Sequence, residues 1–177
     1  TIMFKEIAFT DVKENVVDLL KNQWALVTAG DKNGFNPMTV SWGAVGELWA
    51  QDMATIYIRP QRYTVKYLEE QDYFTISVYP PELKKQIHGV CGSKSGRDTD
   101  KAKEAGITPV FDEKAPYFKE AKLVLVCRKV AKGEFKPEQF IDKSIIPAQY
   151  PQNDFHYIYY GAIAVSYTHL RAHETTL

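Results

Sequence analysis

Three short stretches of this 177-residue chain carry side chains able to hold or activate a ligand. Arg59-Pro60-Gln61-Arg62-Tyr63-Thr64 sets two arginines just ahead of a segment with helical spacing. Free N–H groups and the macrodipole at a helix start favour an anion. A guanidinium suits bidentate phosphate contact, and the Thr64 hydroxyl can add a bond or cap the helix. Ser93-Lys94-Ser95-Gly96-Arg97-Asp98 is a second loop of this kind, with hydroxyls, a flexible glycine and two cations before a helix that carries Lys101. The third stretch, Asn36-Pro37-Met38-Thr39-Val40-Ser41-Trp42-Gly43, alternates in type. As a strand it sends Met38, Val40 and Trp42 to one side, Thr39 and Ser41 to the other. Hydroxyls beside large flat or flexible apolar groups suit a planar ligand with polar edges. Each stretch has a plainer reading: a solvated turn, a polar surface loop, a half-buried strand with Thr and Ser facing water. Together they describe a pocket for a phosphorylated aromatic cofactor.

Other chemistries lack their signatures. No GxGxxG follows a strand, and GxxxxGK(S/T), HExxH and GxSxG are absent. That leaves no recognisable dinucleotide domain, Walker site, zincin or hydrolase elbow. With 22 basic and 22 acidic residues the net charge is zero, so nucleic acid is not an expected partner. Cys91 and Cys127 show no zinc-type spacing and read as free thiols in a reducing compartment. No apolar run approaches the about 20 residues that cross a bilayer, and no signal peptide opens the chain. The expectation is a cytoplasmic protein without a membrane or metal partner. His88, beside Cys91, reads as structural.

The elements that must position these residues are mostly strands. Asp11 and Glu14 resemble a helix start, with Val12, Val16, Leu19 and Leu20 as an apolar stripe. Strands are expected at Trp24–Ala29, from Pro37 to about Gly46, and at Ala54–Ile58. Pro37 marks an edge or bend, because it cannot donate to a ladder. Thr64 is expected to cap a helix over Val65–Gln71. Tyr73–Tyr79 alternates best of all. Pro80-Pro81 starts a helix through Leu83 and Ile87, and another runs from about Thr99 to Ala105, closed by Gly106. Leu123–Cys127, Val130–Phe135 and His156–Val165 complete the strands, with a helical turn at Pro137–Phe140. Six or seven strands with short helices in the joins argue for one mainly β domain, an antiparallel closed sheet with helices at its rims. The domain is assigned to residues 1–165. Residues 166–177 break the strand's character and resemble translated sequencing-adapter read-through, so they are set apart as a non-native tail. His169 and His173 within it stand at i, i+4, a spacing given no metal role.

In sequence order, Asn36–Gly43, Arg59–Thr64, Cys91–Asp98 with Asp100-Lys101, and Asp154–His156 ahead of Gly161 resemble the flavin reductase-like, flavoredoxin-type family. The likeness runs from about residue 20 to 165. It implies an antiparallel Greek-key split β-barrel with short flanking helices that binds FMN, as a homodimer with flavin at the subunit interface. It also implies an NAD(P)H-dependent flavin reductase, with a flavoredoxin-like electron carrier reduced by a partner protein, or a non-catalytic flavin-binding module, as alternatives. An electron-acceptor protein is a further implied partner. Carried over by position, Met38, Thr39, Ser41 and Trp42, with Val40 and Asn36 in the same motif, line the isoalloxazine ring. Arg59, Arg62, Tyr63 and Thr64 hold the ribityl phosphate end with Ser93, Ser95 and Lys101. His156, five residues before a glycine, lies near the flavin's reactive face. Ala162 departs from the acid that relatives often carry after that glycine.

Overall fold

A computed structural model describes residues 3–170. Its sheet has eight strands, and every pairing in it is antiparallel. The strands are β1 (Phe4–Glu6), β2 (Ala25–Asp31), β3 (Gly34–Val40), β4 (Gly43–Leu48), β5 (Gln51–Ile58), β6 (Tyr73–Val78), β9 (Leu123–Glu134) and β10 (Tyr157–His169). Two short strands, β7 (Pro109–Val110) and β8 (Tyr117–Phe118), pair with each other apart from it. The order is β3-β2-β6-β9-β10-β5-β4, with β1 added to the far part of β10. The two end strands, β3 and β4, are consecutive in the chain, and only Ser41 and Trp42 lie between them. So short a link spans roughly 10 Å at most, so the sheet must curl until its ends meet. The ends meet without pairing, and this gap is the split in the barrel.

Helices fill the joins: α1 (Val16–Asp18), continued by a π-helical turn to Gln23, α2 (Thr64–Glu70), α3 (Lys84–Cys91), α4 (Lys101–Ala105) and α5 (Ile145–Gln149). Strand alternation divides the core in two. Val27, Met38, Val40, Ile56, Phe74, Ile76, Leu125 and Tyr159 pack together on one face. Leu26, Val124 and Val126 pack on the other, beneath Ile87 and Cys91 of α3 and Ala102 and Ala105 of α4. Strands buried on both faces read as continuous apolar runs, as Leu123–Cys127 does. At Gly161 a Cβ would stand 2.5 Å from the Phe74 ring, so glycine lets that ring cross β10. A break in the β9–β10 register falls at the same place.

Several expectations need correction. The first helix is capped by Asn15, whose side chain accepts from the Asp18 N–H, and Phe9–Asp11 is a separate 3-10 turn. The strand expected from Pro37 to Gly46 is two, broken at Ser41-Trp42. Pro37 does lie on an edge strand, but within it. Thr64 is the first residue of α2 and makes no cap bond; Tyr63 occupies the cap position. The runs Leu123–Cys127 and Val130–Phe135 form one strand. Finally, β10 does not stop at Val165. Ser166, Tyr167 and Thr168 pair with Leu125, Val124 and Leu123, and the Ser166 hydroxyl donates to the Ile7 carbonyl at 2.6 Å. Near the same point β10 exchanges β5 for β1 as its neighbour. The rest of the 166–177 segment, from Arg171 onward and including His173, lies outside the described residues.

Candidate functional site

The split edge and the two loops share one surface. The first depression, about 170 Å³, is lined by Met38, Thr39, Val40, Ser41, Trp42, Tyr57, Arg59, Arg62 and His156. A second, about 220 Å³, is lined by Asn36, Gln61, Arg62, Tyr63 and Lys101 together with the Gly92–Arg97 loop. Arg62 belongs to both and joins them. Residues more than a hundred positions apart thus converge on a single elongated cleft.

The first half is aromatic and hydroxyl-lined. Met38 and Val40 turn inward and are buried, Thr39 and Ser41 are half-buried, and Trp42 is 44% exposed. Trp42 therefore leaves the side shared by Met38 and Val40, because the strand breaks before it. Its ring lies 5.2 Å from the buried His156 ring. His156 Nδ1 is 2.6 Å from the Tyr150 hydroxyl. Burial, then the nearby Arg59 charge, pull the His156 pKa down to about 4, so the imidazole is neutral at pH 7. His88 stands behind the wall: its Nδ1 is 2.7 Å from the Thr39 hydroxyl, and burial lowers its pKa to about 4 as well.

The second half is a cation pocket. Lys101 is 2% exposed, and its ammonium donates to the Cys91 carbonyl at 3.0 Å. Burial pulls its pKa down to about 8, and the Arg62 charge adds to the fall. Arg62 is itself lowered by desolvation, and no carboxylate pairs with it among the described residues. Two desolvated cations that repel each other without an acid between them are poised for an external anion. Backbone packing shapes the wall. A Cβ on Gly96 would lie 2.1 Å from Asn36 Oδ1 and 2.7 Å from the Tyr63 ring. Gly96→Ala is expected to destabilise the protein by about 1–3 kcal/mol through this overpacking, read as a lowered melting temperature.

Not every anticipated residue faces the cleft. Thr64 is fully buried, and its hydroxyl accepts from the Asn36 amide at 2.8 Å, so it fixes Asn36 from behind. Arg59 stays in the ring-side half. It pairs with Asp154 at 3.1 Å, donates to the Gln149 carbonyl at 3.0 Å and lies over the Tyr150 ring. Ser93 turns its hydroxyl to the Gly89 carbonyl and Ser95 accepts from the Arg97 N–H, yet both line the second half. Tyr57 and Tyr150 also reach the ring-side half. Tyr57 alternates outward between buried Ile56 and Ile58, whereas nothing in the sequence marks Tyr150 locally.

Both histidines make acid sensitivity predictable. Their folded pKa values lie below the ordinary 6.5, so the unfolded chain binds more protons. The stability they contribute is present above about 6.5 and is lost as pH falls toward about 4. Melting temperature should drop through that window, and His88→Gln should flatten the drop.

A split antiparallel barrel with this cleft at its open seam defines the class of small split-barrel flavin reductase-like domains. The match to the Flavin reductase like domain family spans residues 17–173, and the chain belongs to that family. Similar solved structures include flavoredoxin from Methanosarcina acetivorans, 24% identical, with TM-score 0.64 over 84% of this chain and 69% of that one. An FMN-binding domain of a flavin reductases-like enzyme from Shewanella baltica is 14% identical, with TM-score 0.65 over 96% and 80%. A Streptomyces globisporus NADH:FAD oxidoreductase, in complex with NAD and FAD fragments, is 18% identical, with TM-score 0.61 over 85% and 76%. No curated protein matches the chain. No helix among the described residues is long and apolar enough to cross a membrane, and none of their His, Cys, Asp and Glu groups could hold a metal.

Proposed function

We propose that the protein is an FMN-binding oxidoreductase that accepts hydride from NAD(P)H. The observation that carries this is the pair Arg62 and Lys101, desolvated and without an acid partner at the joint of an aromatic depression and a serine-bearing loop. These residues fit FMN: a dianionic phosphate neutralises the cations, and the flat ring meets Trp42 and the Thr39–Ser41 edge of the depression. Bound FMN supplies hydride acceptance and onward electron delivery. The chain's part is to bind and orient. The Thr39 and Ser41 hydroxyls stand where they can donate to the ring's polar edge, favouring negative charge there. The Thr39 hydroxyl is held by His88, and neutral His156 is held by Tyr150 against Trp42. The two buried free thiols suit a reducing, cytoplasmic setting.

A homodimer completes this reading. An apolar groove of about 770 Å³ opens from the ring-side depression, sharing Ser41, Trp42 and Tyr57 with it. Val17, Phe135, Phe140 and Ile145 continue it. A second copy seated there covers the exposed Trp42 and closes the site by a two-fold axis.

The test is a stopped-flow mixing of FMN-loaded protein with NADH or NADPH, following the visible spectrum. Rapid bleaching is expected. FMN binding with no bleaching overturns the reductase and favours a carrier reduced by a partner protein; no FMN binding overturns the flavin reading. Sedimentation velocity over a dilution series should show a dimer that FMN holds together. A monomer retaining full flavin occupancy refutes the interface site.

A further inference from the structure

We infer that Tyr150 is a positioning residue for His156: its hydroxyl donates to Nδ1, which fixes the imidazole as the Nε2–H tautomer. His156 then meets the ring-side depression as a hydrogen-bond donor and not as a base. The two atoms lie 2.6 Å apart, with room for one proton between them. Were that proton on Nδ1, the Tyr150 hydroxyl hydrogen would need another acceptor, and no other group takes it among the described residues. The oxygen already receives the His156 backbone N–H. Burial raises the phenol's pKa, so Tyr150 keeps its proton at pH 7. The proton on the shared line is therefore the tyrosine's, and the imidazole must carry its own on Nε2.

Tyr150 is itself held firmly enough to act this way. It is 5% exposed, its ring stacks on Phe155 with centroids 4.6 Å apart, and the Arg59 guanidinium lies 5.1 Å from its centroid. Asp154 and the Gln149 carbonyl bind that guanidinium in turn. Arg59, of the right type for a phosphate, thus serves the histidine by clamping the tyrosine. On the other side of the imidazole, Nε2 has no hydrogen-bond partner among the described residues, and the ring lines the depression beside Trp42. A fixed Nε2–H there can hold a carbonyl or carboxamide oxygen of a molecule that meets the flavin. An unfixed ring also offers a lone pair at that place, which repels such an oxygen. This consequence rests on the flavin reading above; the tautomer does not.

The experiment has two arms. In the first, long-range proton–nitrogen NMR spectra of the flavin-free full chain, labelled with nitrogen-15 histidine, report the His156 tautomer at pH 7; His156→Leu identifies its signals. The wild type should show a single Nε2–H tautomer, and Tyr150→Phe should turn it into a mixture. A wild-type Nδ1–H tautomer overturns the inference, and so does a tautomer that Tyr150→Phe leaves unchanged. In the second arm, FMN-loaded Tyr150→Phe should lose about five-fold in kcat/KM for NADH or NADPH, the scale of one neutral hydrogen bond. Its FMN affinity should stay within roughly two-fold of the wild type. Added to His156→Leu, Tyr150→Phe should cost nothing further, since it acts through the histidine. Additive losses overturn the positioning role and leave Tyr150 a structural one. Failure to bind FMN overturns the flavin reading and the second arm with it, while the first arm still decides the tautomer.

Discussion

Arg62→Ala is expected to weaken FMN binding by about 1.5–3 kcal/mol, the scale of a charge-assisted hydrogen bond, and to leave riboflavin nearly untouched. The asymmetry follows from position. Arg62 lines both halves of the cleft, and no carboxylate among the described residues pairs with it. Its removal thus breaks no internal ion pair. It also relieves repulsion at Lys101, whose pKa should rise from about 8 in the free protein. Arg59→Ala is the contrasting case. That guanidinium is engaged by Asp154 and the Gln149 carbonyl, so its loss should act mainly through the loop that presents His156. Paired titrations with FMN and riboflavin decide the matter. Equal losses for both ligands in Arg62→Ala would remove that residue from the phosphate.

A chain ending at Val165 should melt on the order of 10 °C below one ending at Leu170, for a loss of about 3–5 kcal/mol. The deletion removes three pairings with β9 and all of β1's pairings. It removes the bond from Ser166 to Ile7 and the Tyr167 ring, which stacks on Tyr117 with centroids 6.2 Å apart and meets Phe4 edge-on. Phe4 then loses its cover as well. Circular-dichroism melts of the two chains make the comparison. Identical curves would show that the strand's last residues carry no stability.

That result bears on how far the sequence could be read. Tyr73–Val78 was legible because its alternation matches a strand, and the end of α4 because Gly106 closes it, while Asp100 rather than Thr99 marks its start. The cleft was largely legible too, since short-range motifs supplied Thr39, Ser41, Arg62 and Lys101. What escaped depends on distant partners. The end of β10 was placed too early, at Val165, because the pairings that carry it on are with β1 and β9. Strands β3 and β4 merged because Ser41-Trp42 carries no turn signal, and β9 was divided because Arg128 and Lys129 interrupt its apolar run. Helix α5 holds Ile145, Ile146 and Pro147, poor helix formers, so local propensity gave no sign of it. Thr64 and Arg59 have the right residue types for a phosphate, but Asn36 and Asp154 already engage them.

The place of β10 between β9 and β5 has a kinetic consequence. During synthesis, β2, β3, β6 and β9 can assemble as one half-sheet, and β4 with β5 as a hairpin, joined by the Ser41-Trp42 corner. Neither piece has a partner for its inner edge until the last strand emerges. The β5 edge therefore stays open from the hairpin's completion until β10 emerges, and the β9 edge joins it late; both invite pairing with other chains. The closing contacts link residues roughly a hundred or more positions apart, so closure is the slow step. His156 arrives with that same strand. The cleft is therefore assembled last, and partly folded chains lack its ring-side wall.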